Sequence, residues 1–136
     1  MSVPVALKSI QPFIRIANEH TERDPVIYYW ALMQAVQLGM PHQNASPEAR
    51  VFLGQLLGTL EQVKRTLAEE EAVRNEIVAS AHIENYAMRL FTWADDQERT
   101  GRGDKAVMKA FYTSSYLLEM LSLFGEVTLL WRSTRV

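Results

Sequence analysis

The sequence predicts an all-α protein built from antiparallel helical bundles, and two observations lead to this fold class. Apolar residues recur at helical spacing over most of the chain, for example at Leu53, Leu57 and Leu60. The pairs 24–25 and 46–47 read Asp-Pro and Ser-Pro, and such pairs start helices because the polar side chain caps free amides while proline needs no donor there. With 136 residues, 48% of them hydrophobic, the chain is long enough to bury a core without covalent cross-links.

The first 70 residues are predicted to form a three-helix, up-down-up bundle. The first helix stops in the polar run 18–23, the second extends from Pro25 to about Leu38, and the third begins at Pro47. The apolar stripe of the first helix consists of Leu7, Ile10, Phe13, Ile14 and Ala17. The third helix has an apolar surface wider than a single seam, which predicts two packing neighbours or a face left for a partner.

Residues 71–136 are predicted to form a second helical hairpin. After the acidic run 69–71, a long helix buried on much of its circumference ends at the glycine loop 100–103, and Asp104 then caps the last long helix. The first stripe is Ile77, Ala81, Ile83, Ala87, Leu90, Phe91 and Ala94; the second is Val107, Ala110, Phe111, Ser114, Leu117, Leu118, Leu121 and Phe124. A weak sequence similarity between the two halves of the chain suggests that one type of helical hairpin occurs twice.

The residue inventory excludes several classes of function. Fourteen basic against 16 acidic residues give a net charge of −2, which provides no field for a nucleic-acid backbone. The absence of cysteine rules out disulfides and cysteine-based sites, and the three histidines have no spacing that pairs two metal ligands on one helical face. No secretory signal or membrane-spanning stretch is apparent. We therefore expect a cytoplasmic protein with no enzymatic activity, metal or cofactor.

A small helical protein without catalytic groups offers mainly surfaces, and helix-in-groove recognition is the leading physical hypothesis. Four methionines, at positions 33, 88, 108 and 120, could line an adaptable peptide groove, because methionine tolerates irregular partners. The alternative for each is ordinary gap filling between helices.

A series of short segments, in order across residues 7–128, resembles the LYST-interacting protein family, the Vta-type cofactors of the ESCRT-disassembling AAA ATPase. The segments are Lys8-Ser9-Ile10-Gln11, Arg15, Glu19-His20, Arg23-Asp24-Pro25-Val26, Gln37-Leu38-Gly39-Met40, Pro47-Glu48-Ala49-Arg50, Phe52-Leu53, Glu76-Ile77-Val78, Ala81-His82, Glu84-Asn85-Tyr86-Ala87, Ala94-Asp95, Arg99, Gly101-Arg102, Phe111-Tyr112-Thr113, Phe124-Gly125-Glu126 and Thr128.

The resemblance implies two tandem microtubule-interacting-and-transport (MIT) modules, three-helix bundles that bind helical C-terminal tails of ESCRT-III subunits, the charged multivesicular body proteins. It places contact with the ATPase in a C-terminal domain outside this sequence. The family continues with a further aromatic-containing helix, whereas residues 129–136 amount to only about two helical turns, roughly 12 Å. We therefore expect an MIT-like module over 1–70 and a second one over 71–136 that lacks its last helix, with Trp131 not assigned to that helix.

The resemblance implies a regulator of endosomal multivesicular-body sorting that is peripheral on endosomes and touches membrane only through ESCRT. The groove between the second and third helices is the predicted tail site. Its predicted contacts are Met33, Val36, Leu53, Leu57 and Leu60, with Lys64 as a rim charge. The alternative for each apolar member is intramolecular core. A second hypothesis is a generic helical scaffold that self-associates through an exposed stripe of Phe111, Leu118 and Leu121.

Overall fold

A computed structural model describes residues 2–125, and within that range every regular element is a helix, so the all-α prediction is confirmed. The α-helices are α1 (Gln11–His20), α2 (Pro25–Gly39), α3 (Pro47–Thr66), α4 (Glu71–Arg74), α5 (Glu76–Arg99) and α6 (Lys105–Glu119). Short 3₁₀ segments span Val5–Ile10, Met40–His42 and Met120–Phe124. The chain divides into two compact units, Met1–Val73 and Arg74–Val136.

The predicted first helix is divided in two. Residues 5–10 form a 3₁₀ segment with non-helical backbone angles at Leu7, and α1 begins only at Gln11. Pro12 explains the break, because a continuous α-helix would need its missing amide to bond the carbonyl four residues earlier. The predicted stripe also omitted Ile16, which is fully buried, and included Ile14, which is only half-buried.

Polar caps set the starts of α2 and α3 as the sequence predicted. The Ile27 amide donates to Asp24 Oδ1 over 3.2 Å, and the Ala49 amide donates to Ser46 Oγ over 3.0 Å. Helix α2 is the centre of the first unit and contacts α1, α3 and both neighbouring 3₁₀ segments. Because it is covered on nearly every side, its apolar residues surround the helix instead of forming one stripe.

The second unit is built on the packed pair α5 and α6. The Asn75 side chain caps α5, and the Val107 amide donates to Asp104 Oδ1 over 3.1 Å at the start of α6. Gly101, with φ of +79°, allows the reversal between the two helices. Ala94, Val107 and Ala110 form a small core near this loop, which half-buried Leu90 and Phe111 extend.

Two sequence predictions for the second unit are wrong. Ile77 and Phe91 are 55% and 42% exposed, because within residues 74–125 helix α5 has only α6 and the 3₁₀ segment as extensive packing partners. Leu121, predicted to be exposed, is 3% exposed: the chain leaves the α-helical path at Met120, and the 3₁₀ segment packs on both α5 and α6. The prediction concerning Trp131 lies outside the described residues.

A candidate peptide-binding groove on the first unit

The predicted contact residues lie at two depths in the packed pair α2 and α3. Val36, Leu53 and Leu60 are buried in the bundle and belong to its core. Leu57 is 37% exposed, and Met33 is half-buried. The accessible apolar surface is therefore narrower than the sequence predicted, because the three buried side chains already fill the space between helices.

Helical spacing explains why some of these residues are buried between α2 and α3 while others lie at the accessible edge. In α3, Leu53 and Leu60 are seven residues apart on the side that faces α2, while Leu57 is rotated towards one edge of that side. Lys64 follows Leu57 by two turns on the same edge and is exposed. The result is an apolar edge with a cation at one end. We call the surface formed by Met33, Leu57 and Lys64 the α2–α3 groove.

An interaction that sequence reasoning missed lies beside this groove. The Trp30 indole N–H donates to the Ala72 carbonyl over 2.8 Å, and Trp30, Ala72 and Val73 are all buried. The sequence prediction placed a long helix after the acidic run 69–71 and assigned no role to the apolar pair that follows the run. A tryptophan in an apolar helix needs a partner for its indole N–H, and that requirement was the available signal.

Aromatic packing fixes the position of Trp30. Its ring meets the Tyr29 ring edge to face, with centroids 4.9 Å apart and an interplanar angle of 83°. Burial raises the pKa of the Tyr29 phenol, because the phenolate would lose hydration inside the bundle. The N-terminal half of α2 thus carries a buried aromatic pair.

The predicted second-unit surface is only partly present. Phe111 is half-buried and packs edge to face on Phe91, with ring centroids 5.4 Å apart, and Leu118 is also half-buried. Leu121 is buried and takes no part. Large apolar side chains that the prediction did not select are more exposed; they are Ile77, Met88, Trp93, Met108 and Tyr112.

Residues 2–125 hold no group of three or more His, Asp and Glu side chains that could bind a metal ion. His20 is buried at the end of α1, where its Nδ1 lies 2.7 Å from the Ile16 carbonyl oxygen, as expected of a structural histidine. None of the helices in the same range combines the length and the apolar character needed to cross a bilayer.

Comparison with known protein families matches residues 9–135 to the family described as "Vta1 like". This match covers nearly the whole chain. The chain belongs to the Vta1-like family. The resemblance read from the short sequence segments is confirmed, and it extends past the last of them.

The Vta1-like chain is similar over 126 residues to the vacuolar protein sorting-associated protein VTA1 homologs of Bos taurus, at 45% identity, and Homo sapiens, at 44%. Each alignment covers 93% of this chain and 41% of the relative. A plant relative, from Arabidopsis thaliana, is named a homolog of mammalian LYST-interacting protein 5 and is 29% identical over 124 residues, which cover 88% of this chain and 28% of that protein. The Vta1-like chain thus spans less than half the length of these relatives.

Proposed function

We propose that this chain acts in endosomal multivesicular-body sorting by binding helical C-terminal tails of ESCRT-III subunits, as a regulator linked to the ESCRT-disassembling AAA ATPase. The names of its relatives support a role in vacuolar protein sorting. The observation that carries the more specific proposal is the α2–α3 groove, where the apolar edge of Met33 and Leu57 adjoins the exposed Lys64.

An amphipathic helix fits such a groove. Its apolar side would cover Leu57 and Met33, and an acidic position would lie near Lys64. Val36, Leu53 and Leu60 are buried, so in this proposal they support the groove and do not touch the tail unless the bundle rearranges. A single short helix on a narrow edge covers limited area, so we expect modest affinity.

We propose that the chain acts by recognition and has no enzymatic activity. Contact with the ATPase belongs, by the family resemblance, to a C-terminal domain outside residues 1–136. We therefore expect this region to bind tails without stimulating ATP hydrolysis, in the cytoplasm and peripherally on endosomes. An ATPase assay in which the chain alone accelerates hydrolysis would contradict this division of roles.

Fluorescence titration of labelled ESCRT-III tail peptides tests the tail proposal. Leu57→Asp should weaken binding at least about tenfold, because a carboxylate replaces apolar surface in the contact. Val51→Asp is the matched control: Val51 is 60% exposed on the same helix but lies on its outer face, so binding should be unchanged. Circular dichroism verifies that both variants are folded.

Two charge-reversal variants test the electrostatic contribution of Lys64 to tail binding. Lys64→Glu should weaken binding several-fold and reduce its dependence on salt, whereas Arg65→Glu, one residue further along the same helix and turned away from the groove, should have little effect. Absence of tail binding by the wild-type chain, or equal binding by Leu57→Asp and Val51→Asp, would contradict the proposal.

The exposed apolar residues of the second unit favour one alternative, a scaffold that self-associates. Phe91 and Met108 are 42% and 53% exposed, and uncovered apolar patches tend to find partners. Light scattering over a dilution series separates the two functions. A stable dimer that Phe91→Ser converts to monomer supports the scaffold, while a monomer at all concentrations excludes it.

A further inference from the structure

The segment Glu71–Val73, which we call the plug, packs on the same helix that forms one wall of the α2–α3 groove. Its Ala72 carbonyl accepts the Trp30 indole N–H, and Ala72 and Val73 are 6% and 7% exposed. Met33 follows Trp30 by about one turn on the same side of α2 but is only half-buried. One continuous face of α2 is thus covered at Trp30 and open at Met33.

The register of the two helices places Trp30, and with it the plug, level with one end of the groove, on the side of α2 turned away from Gly39. Helices α2 and α3 are joined by a short connection and are antiparallel, and Gly39 approaches Leu53 where they meet. Trp30 lies about two and a half turns before Gly39 in α2. The same distance along α3, counted from Leu53 towards the C-terminus of that helix, ends just before Lys64. The plug therefore covers α2 at the level of the cationic end of the groove.

The composition of the plug resembles that of the ligand proposed for the groove. Its two buried side chains are apolar, and the exposed acidic run 69–71 leads directly into them. The same combination, apolar contacts with acidic positions near Lys64, is what the groove is proposed to select in a tail helix. The chain thus carries a short segment of ligand-like chemistry beside its own site.

The contact with α2 holds the plug in place, since its own helix is too short to be stable. Helix α4 has four residues, far fewer than the roughly 12 to 15 that an isolated helix needs. One indole hydrogen bond and two small side chains make a modest anchorage, because the net contribution of a hydrogen bond is small. A larger apolar ligand can therefore displace the plug at low cost.

We propose that Glu71–Val73 is an internal competitor for the α2–α3 groove, which a bound tail helix must displace to use the groove's full length. This inference rests on the proposed function. The apparent affinity for a tail is then reduced by the fraction of molecules in which the plug is seated. Releasing the plug should tighten tail binding without any new contact.

Titration of the full 136-residue chain with the labelled tail peptides tests the competitor. Val73→Ser weakens the plug and leaves the groove residues intact, so we expect about fivefold tighter binding. Val51→Ser, the same substitution at an exposed position of α3, is the matched control and should bind like wild type. Trp30→Phe removes the indole donor by a different route and should also tighten binding, with Trp93→Phe as its control.

The Trp30 indole proton gives a readout that does not depend on affinity. The resonance of this proton is identified by its loss in Trp30→Phe. In the free chain the proton should be protected and exchange slowly with solvent, and saturating tail peptide should remove this protection from exchange. Slow exchange of the Trp30 indole proton that persists in the complex, or equal tail affinity of Val73→Ser and wild type, would contradict the proposal that the plug competes with the tail. Neither result would contradict tail binding itself. Absence of tail binding by wild type and by both released variants overturns the proposed function itself.

Discussion

The last residue of α2, Gly39, lies so close to Leu53 of α3 that a Cβ atom at position 39 would stand 2.6 Å from Leu53 Cδ2. The sequence predicts that this helix ends at about Leu38, just before Gly39. The helix does end there, but Gly39 itself has ordinary helical angles, φ −82° and ψ −31°, and the next residues continue as a 3₁₀ turn. Close approach of two helices, and not a left-handed backbone, is the reason for glycine at this position.

Gly39→Ala should therefore destabilise the first unit, although alanine is normally the better helix former. Leu53 is 2% exposed and cannot move aside freely, so the added methyl overpacks the core. Overpacking costs about 1–3 kcal/mol, and the helical preference for alanine offsets about 1 kcal/mol of it. We expect a net loss of about 1 kcal/mol in urea denaturation. Unchanged or increased stability would contradict the close packing at this position.

Gly54→Ala and Gly58→Ala should have the opposite effect and serve as its control. Both glycines are exposed within α3, and a Cβ at either position would meet no atom within 4 Å. Alanine restricts the unfolded chain and creates no clash, so each substitution should add about 0.5–1 kcal/mol. The double variant should show the sum, measured as a higher urea midpoint. A loss of stability would mean that this face of α3 is covered in the folded protein.

Asp104→Ala should weaken the second unit at the start of α6. The substitution removes the acceptor of the Val107 amide and leaves that donor without its cap, which costs about 1 kcal/mol. Asp104→Asn keeps a capping oxygen and should be nearly neutral. Thermal unfolding followed by circular dichroism compares the two variants. Equal destabilisation by both would assign the effect to charge instead of to the cap.

Stability should fall in alkaline solution because of Tyr29. Its pKa is raised in the folded chain by burial, so the folded state holds the phenolic proton more tightly than the unfolded state does. The contribution is complete below the unfolded pKa of about 10 and is lost as pH rises through the folded value. Urea denaturation between about pH 8 and pH 11 measures this loss.

Two phenylalanine variants test whether Tyr29 causes the loss of stability at alkaline pH. Tyr29→Phe should flatten the dependence of stability on pH, whereas Tyr112→Phe, at a position that is 58% exposed, should leave it as in wild type. Equal slopes for all three proteins would show that Tyr29 does not contribute to the alkaline loss.

Local signals made the starts of α2, α3 and α6 predictable. At positions 24, 46 and 104 the capping residue and the amide that it serves are only three residues apart, so the sequence alone identifies the pair. The candidate groove was less predictable, because helical periodicity marks Leu53, Leu57 and Leu60 as one apolar set. Their division into buried and accessible members depends on how closely α2 approaches α3.

The sequence by itself determined the helical fold class, the starts of α2, α3 and α6, and membership in the Vta1-like family, since each rests on spacing and identity along the chain. Tertiary structure alone decided which faces are covered. Ala72 reaches Trp30 across 42 positions of sequence, and the 3₁₀ segment after α6 turns back to bury Leu121. Burial is a property of what packs on a side chain from elsewhere in the chain, and periodicity in one helix carries no record of that partner.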